Sequence, residues 1–317
     1  MAVLSKIQNI IGGHFCLVAV PLFYVISGYL FFLFVPDGVK SIFGKMKKRC
    51  KTLLVPYVLA NSLTFLFWII LGLIALRLPM IDSVINTKIL PVIQNQSFAE
   101  TFKLVFITPP IAFQLWFIRD LMVVVFFSPI LWLLLRYFST SKFTSYLFIC
   151  LLAFVYILWG NNEYLNAFLW FLAGGILSMG RFQIYNPSRN KCLYFIFIIL
   201  YVGVCVLAGF GYIPSWSKIL IPIVGIIALW LIYDQMNKLN NYLSRTIFIQ
   251  YTFFVYLIHE PLLNIFKKLP LLINKGEITL ICCYIFIPVI FYVFACLLGS
   301  LLKRIIPKIY SIYTGGR

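Results

Sequence analysis

Acidic side chains are scarce in this chain, and charged residues as a whole are rare. Asp and Glu number 8 against 26 Lys and Arg, and only 11% of the 317 residues are charged. Soluble globular domains carry about a quarter charged residues. There are also only two histidines, and the eight cysteines lack the spacing of a metal site or a disulfide framework. The sequence therefore excludes an ordinary soluble domain and predicts no metal site.

Apolar residues dominate what remains. They make up 63% of the chain, and the mean hydropathy is +1.01. A soluble core of this size cannot hide so much apolar surface, whereas a lipid bilayer accepts it. The net charge of +18 could suggest nucleic acid, but the Lys and Arg residues lie mostly between hydrophobic runs. That distribution is typical of membrane proteins. We expect the bilayer, and no nucleic acid, as a partner.

The hydrophobic runs predict an all-α, polytopic transmembrane helical bundle. About 20 mostly apolar residues make one spanning helix. Nine segments qualify, and we interpret residues 1–317 as one transmembrane domain. The predicted spans are roughly 15–35, 53–76, 111–135, 144–160, 165–180, 193–212, 217–236, 248–266 and 278–302.

The distribution of Lys and Arg predicts the orientation. If the loop after the first span is cytoplasmic, the inside segments hold seventeen of these residues and the outside segments hold eight. Cytoplasmic loops carry the excess of positive charge. We therefore expect an extracytoplasmic N-terminus and a cytoplasmic C-terminus. Nine spans that start outside resemble ten spans with the first one missing.

Two polar places inside the predicted spans are candidates for function, because ionisable groups in a membrane are costly. The first is Arg119 with Asp120, close to Trp116; it is either a local ion pair near the interface or part of a substrate-binding site. The second is His259 with Glu260, followed by Pro261. The proline should loosen the backbone and free a carbonyl. Consecutive helical residues diverge by about 100°, so Glu260 need not touch His259.

Two further features lie near the N-terminus. Ser27 and Gly28 stand in an aromatic helix, where they either permit close helix packing or belong to a site. Arg49 lies in the basic run from Lys45 to Lys51, which serves as an orientation signal or contacts lipid headgroups, and its guanidinium could also bind phosphate. His14 stands beside two glycines at the edge of the first span, and we interpret it as incidental.

Several of these segments, taken in order, carry a family resemblance. Singly they are short and apolar, but together they cover nearly the whole chain. They are similar to segments of the acyltransferase family 3 membrane proteins, which O-acylate sugars and cell-envelope polymers. The segments are 20–30 (VPLFYVISGYL), 47–57 (KKRCKTLLVPY), 115–121 (LWFIRDL), 168–175 (FLWFLAGG) and 256–261 (YLIHEP).

The resemblance implies a ten-helix bundle in a bacterial cell membrane. It implies transfer of an acyl group, commonly acetyl, from acyl-CoA to a hydroxyl of an envelope glycan or a lipid-linked sugar, with no bound cofactor. Arg49 would contact the donor's phosphates. His259 and Glu260 become the catalytic candidates, and the remaining substrate-binding candidates are Arg119, Asp120, Ser27 and Trp116.

The resemblance also places the family's catalytic histidine on a first helix that this sequence does not show. We therefore expect the domain to be incomplete at its N-terminus and to transfer acyl groups poorly as given. A small-metabolite or glycan-precursor transporter, or flippase, is the alternative. The interior polar residues would then bind substrate or relay protons. A non-catalytic envelope partner is a third possibility.

Overall fold

Helices account for all the regular structure in the described part of the chain. The computed structural model describes residues 2–33, 38–75, 97–107, 109–160, 162–180, 182, 191–214, 219–236, 246–268, 270 and 276–316. No strand occurs within these ranges. The predicted all-α bundle is confirmed. Residues 77–96, between the second and third predicted spans, lie outside the described residues.

The helices are numbered here in chain order, and two short 3-10 turns, Phe15–Val18 and Phe113–Leu115, accompany them. The α-helices are α1 Ala2–Ile11, α2 Ala19–Phe32, α3 Val39–Ala75, α4 Phe98–Phe106, α5 Trp116–Phe126, α6 Ser128–Phe138, α7 Lys142–Trp159, α8 Glu163–Met179, α9 Lys191–Gly209, α10 Leu220–Gln235, α11 Ile247–Gln250, α12 Thr252–Lys268, α13 Glu277–Ile305 and α14 Pro307–Tyr313.

Within the described residues, each of the nine predicted spans overlaps at least one helix. Among the described residues, four helical stretches are long and apolar enough to cross a membrane: Ser5–Phe32, Lys40–Ile74, Lys142–Trp159 and Ile278–Ile305. A fifth candidate is the pair α5 and α6, which bends by 65°. Pro129 lies in the first turn of α6, where it lacks an N–H and clashes with the preceding turn, so the helix breaks there.

The chain forms two compact units. Unit 1 contains residues 1–49 and 120–242, and unit 2 contains residues 50–119 and 243–317. The expectation of a single domain over 1–317 stays a prediction.

Unit 1 is organised around the packing of α2 against α8. A Cβ atom at Gly28 would overlap the backbone oxygen of Phe171, and one at Gly174 would overlap the backbone oxygen of Val25. Reciprocal glycines of this kind let two membrane helices approach backbone to backbone. At Gly28, the close-packing interpretation of the Ser27–Gly28 pair therefore agrees with the structure.

The end of α2 is completed by a side chain from the basic run. The Lys45 ammonium donates to the backbone oxygens of Phe31 and Leu33, at 3.2 and 2.9 Å. The last carbonyls of a helix lack intrahelical partners, and a cation there is stabilising. Lys45 thus has a structural contact, in addition to its contribution to the charge of the loop.

Unit 2 has its apolar core between α12, α13 and α14. Aromatic side chains dominate this core, and Tyr310 of α14 packs against Tyr251 and Phe254. Gly299 faces the same rings: a Cβ there would meet Phe254 at 2.8 Å. One face of α12 is therefore packed in this core, and another face is left to make polar contacts.

Candidate functional site

The candidate site is built on a break in α12. Glu260 departs from helical geometry, with φ −105° and ψ 133°, and Pro261 follows it. The residue before a proline favours an extended conformation, because proline clashes with it in the helical one. Pro261 also lacks an N–H, so the carbonyl of Leu257, four residues earlier, has no intrahelical donor. The predicted loosening of the backbone at Pro261 is present in the structure.

Gln114 bonds to the carbonyls at this break. Its Nε2 atom donates to the backbone oxygens of Leu257, at 3.2 Å, and Glu260, at 3.3 Å. In return, the Tyr256 hydroxyl donates to the backbone oxygen of Gln114. Only 7% of the Gln114 surface is exposed. A side chain and a backbone group therefore join the 3-10 turn Phe113–Leu115 to α12.

His259 lies one residue before the non-helical position. Its Nδ1 atom is 2.9 Å from the backbone oxygen of Tyr256. Because only an N–H can donate to a carbonyl, this contact assigns the proton of the neutral ring to Nδ1 and leaves Nε2 as the acceptor. The ring is half-buried and tilted by 45° against the Tyr256 ring. In this tautomer Nε2 is the ring nitrogen that can accept a proton.

Glu260 has a different partner from His259. Its Oε2 atom accepts from Asn264 Nδ2 at 2.5 Å. Asn264 lies one turn further along α12 and is exposed. The described hydrogen bonds thus attach the two catalytic candidates to separate groups, in line with the divergence of adjacent positions.

Arg119 is attached to the end of α4. Its Nη1 atom donates to the backbone oxygen of Ile107 at 2.6 Å, and the Tyr57 hydroxyl donates to the neighbouring Phe106 oxygen at 2.6 Å. Cations near a helix C-terminus are stabilising, and side-chain donors satisfy its last carbonyls. Arg119 is half-buried. Its hydrogen bond to Ile107 is a structural contact, whether or not Arg119 also binds substrate.

Asn61 holds the next part of the same segment to α3. It is fully buried; its Nδ2 atom donates to the Tyr57 oxygen at 2.9 Å, and its Oδ1 accepts from Ala112 N–H at 3.1 Å. Residues 106–107 and 109–115 therefore lie between polar groups of α3 and polar groups of α12. We call this segment the strap. Two of its polar anchors, Asn61 and Gln114, were not anticipated from the sequence.

The structure brings some of the predicted site residues into one unit. His259, Glu260, Trp116 and Arg119 belong to unit 2, and Trp116 begins α5 directly after the strap, half-buried. Three others belong to unit 1: Ser27, half-buried on α2; Arg49, exposed on α3; and Asp120, only 1% exposed. A common site that joins this second group to His259 stays a prediction.

His14 is the second histidine, and it lies in unit 1 with 1% of its surface exposed. Its Nδ1 atom is 2.7 Å from the backbone oxygen of Asn9. Burial to this degree was not expected, because α1 was not predicted from the sequence. The contact closes the turn between α1 and the first 3-10 turn, which is a structural role.

The comparison with known proteins defines the class of this helical membrane protein. The family model for acyltransferase family 3, described as an acyltransferase domain, matches residues 4–302. The chain belongs to this family, and it is a membrane acyltransferase in the general sense that the family defines. No curated protein and no solved structure matches the chain.

Proposed function

We propose that the protein transfers an acyl group, acetyl in the simplest case, from acyl-CoA to a hydroxyl of a bacterial envelope glycan or a lipid-linked sugar. The observation that carries this proposal is the state of His259 in a chain of this family. Its Nδ1 proton is committed to the Tyr256 carbonyl, so Nε2 is available as a base. A neutral imidazole near pH 7 suits that role.

In the proposed reaction, His259 Nε2 takes the proton of the acceptor hydroxyl as its oxygen attacks the thioester carbonyl. The new C–O bond forms, the C–S bond breaks, and the CoA thiolate leaves. The proton on Nε2 then passes to this thiolate, so that ester and free CoA are the only products. Oxyanion stabilisation during acyl transfer comes from nearby donors and positive charge. Arg119 is the proposed cation, and Trp116 would help to position the acceptor.

The remaining candidates complete the proposal. Glu260 would orient the acceptor beside His259, and Arg49, exposed on α3, would bind the phosphates of the donor as a guanidinium can. Ser27 and Asp120 would contact the acceptor. The family match favours acyl transfer over the transporter alternative.

The test uses the purified full chain in lipid vesicles, with radiolabelled acetyl-CoA and envelope glycan. Acyl transfer predicts label on the glycan in an alkali-labile ester, with one free CoA for each ester formed. Label that enters the vesicles without ester formation would contradict the proposal and favour a transporter.

A further inference from the structure

We infer that Gln114 is a positioning residue for the reaction: its side-chain amide holds the break in α12 and so sets the place of His259. The inference rests on the proposed function for its catalytic meaning, and on contacts within unit 2 for its geometry. Gln114 is not among the catalytic or substrate-binding candidates that the sequence predicts.

The two N–H donors of the Gln114 amide match two backbone carbonyls that the break in α12 leaves without a helical partner. Pro261 removes the donor for the Leu257 carbonyl, and the extended conformation of Glu260 leaves a second carbonyl outside the helical pattern. An amide NH2 group has two N–H donors, and Gln114 Nε2 lies 3.2 and 3.3 Å from these two oxygens. The two donors of this side chain are therefore matched to these two carbonyls.

The buried oxygen of the same amide supports this orientation of the Gln114 side chain. Gln114 Oε1 is buried, and it has no hydrogen-bond partner among the residues that the structure describes. A flipped amide would instead turn oxygen toward two carbonyl oxygens, which repel it. Leaving a buried acceptor unpaired costs about 1–3 kcal/mol. The orientation is therefore set by the two donated bonds.

The link from Gln114 to His259 passes through Tyr256. The Tyr256 hydroxyl donates to the Gln114 backbone, and the Tyr256 backbone oxygen accepts from His259 Nδ1. Tyr256, Leu257 and Glu260 surround His259 in the chain, and each of them is bonded to Gln114. Movement of the Gln114 side chain would therefore move the backbone on both sides of the base.

The principal test substitutes Gln114→Met, which keeps the length of the side chain and removes both donors. Gln8→Met, at an exposed position of α1, is the matched control. We expect kcat for acyl transfer to fall at least about tenfold because the base is displaced. We expect KM for acyl-CoA to stay within about twofold, because Gln114 is not among the residues proposed to bind the donor. The control should match the unsubstituted protein.

Hydrogen exchange of residues 252–268 in the purified full chain gives a readout that does not need activity. Gln114→Met should speed exchange there at least about threefold, because α12 loses two of its hydrogen bonds to the 3-10 turn Phe113–Leu115. Unchanged exchange would overturn the inference whatever the activity, and so would a kcat within about twofold of the unsubstituted protein. If the unsubstituted protein makes no ester while exchange responds as expected, the proposed function fails and the positioning geometry stands.

Gln114→Glu supplies the conservative variant. It has the same shape, but an ionised carboxylate cannot donate to either carbonyl. A protonated carboxyl can donate to one of them, and burial favours that form. The rate of Gln114→Glu relative to the unsubstituted protein should therefore rise as the pH falls from about 8 to about 6. A ratio that stays flat or falls over this range would count against the inference.

Discussion

Gly28 on α2 lies against the backbone carbonyl of Phe171 on α8, closer than a residue with a Cβ atom could lie. Gly174 on α8 meets the carbonyl of Val25 on α2 in the same way. The two contacts are reciprocal, and together they explain why both helices carry glycine at these positions.

The first prediction follows from this packing. Gly28→Ala and Gly174→Ala should each force α2 and α8 apart and lower the melting temperature of the purified protein by roughly 3–10 °C. Gly203→Ala on α9 is the control, since no described atom lies within 4 Å of the Cβ it would add. Its melting temperature should stay unchanged or rise, because alanine favours helix. Equal stability for Gly28→Ala and Gly203→Ala would contradict the packing described here.

A second prediction concerns the end of α2. Lys45→Met should destabilise the protein by about 1 kcal/mol, because the carbonyls of Phe31 and Leu33 lose their donor. Lys47→Met, two residues along in the same basic run and exposed, should have no effect within about 0.5 kcal/mol. Thermal unfolding followed by size-exclusion chromatography distinguishes the two variants. Equal losses would mean that Lys45 acts only through the charge of the run.

A third prediction concerns orientation, which rests on the Lys and Arg distribution. Cysteines placed at Thr140 and Ser311 should react with an impermeant maleimide only after the membrane is permeabilised, and one at Asn162 should react in intact cells. All three positions are exposed, and α7 separates the first from the third. Labelling of Thr140→Cys in intact cells would overturn the predicted topology. Thr314 is unsuitable for this purpose because only 1% of it is exposed.

Local chemistry allowed much of the fold to be predicted. Runs of apolar residues placed each of the nine segments on a helix, and Pro261 marked the break in α12. The helix α1 was not predicted, since its ten residues are too few for a span. The bend at Pro129 was also missed, because the apolar run continues through it.

The polar anchors of the strap could not be predicted in the same way. Gln114 and Leu257 are 143 positions apart, and Asn61 and Ala112 are 51 apart. Nothing in the local sequence of either partner specifies the other, because these pairs depend on how α3 and α12 are placed in unit 2. The sequence identified the carbonyl that Pro261 frees, but not its donor.

The most direct test of the account is the rate of acyl transfer by the full chain carrying His259→Ala. If His259 Nε2 is the base, this rate should fall at least about 100-fold below that of the unsubstituted protein. Thr252→Ala, an exposed position on the same helix, should leave the rate within about twofold of that protein. Ester formation by His259→Ala at a rate within about threefold of the unsubstituted protein would contradict the central claim.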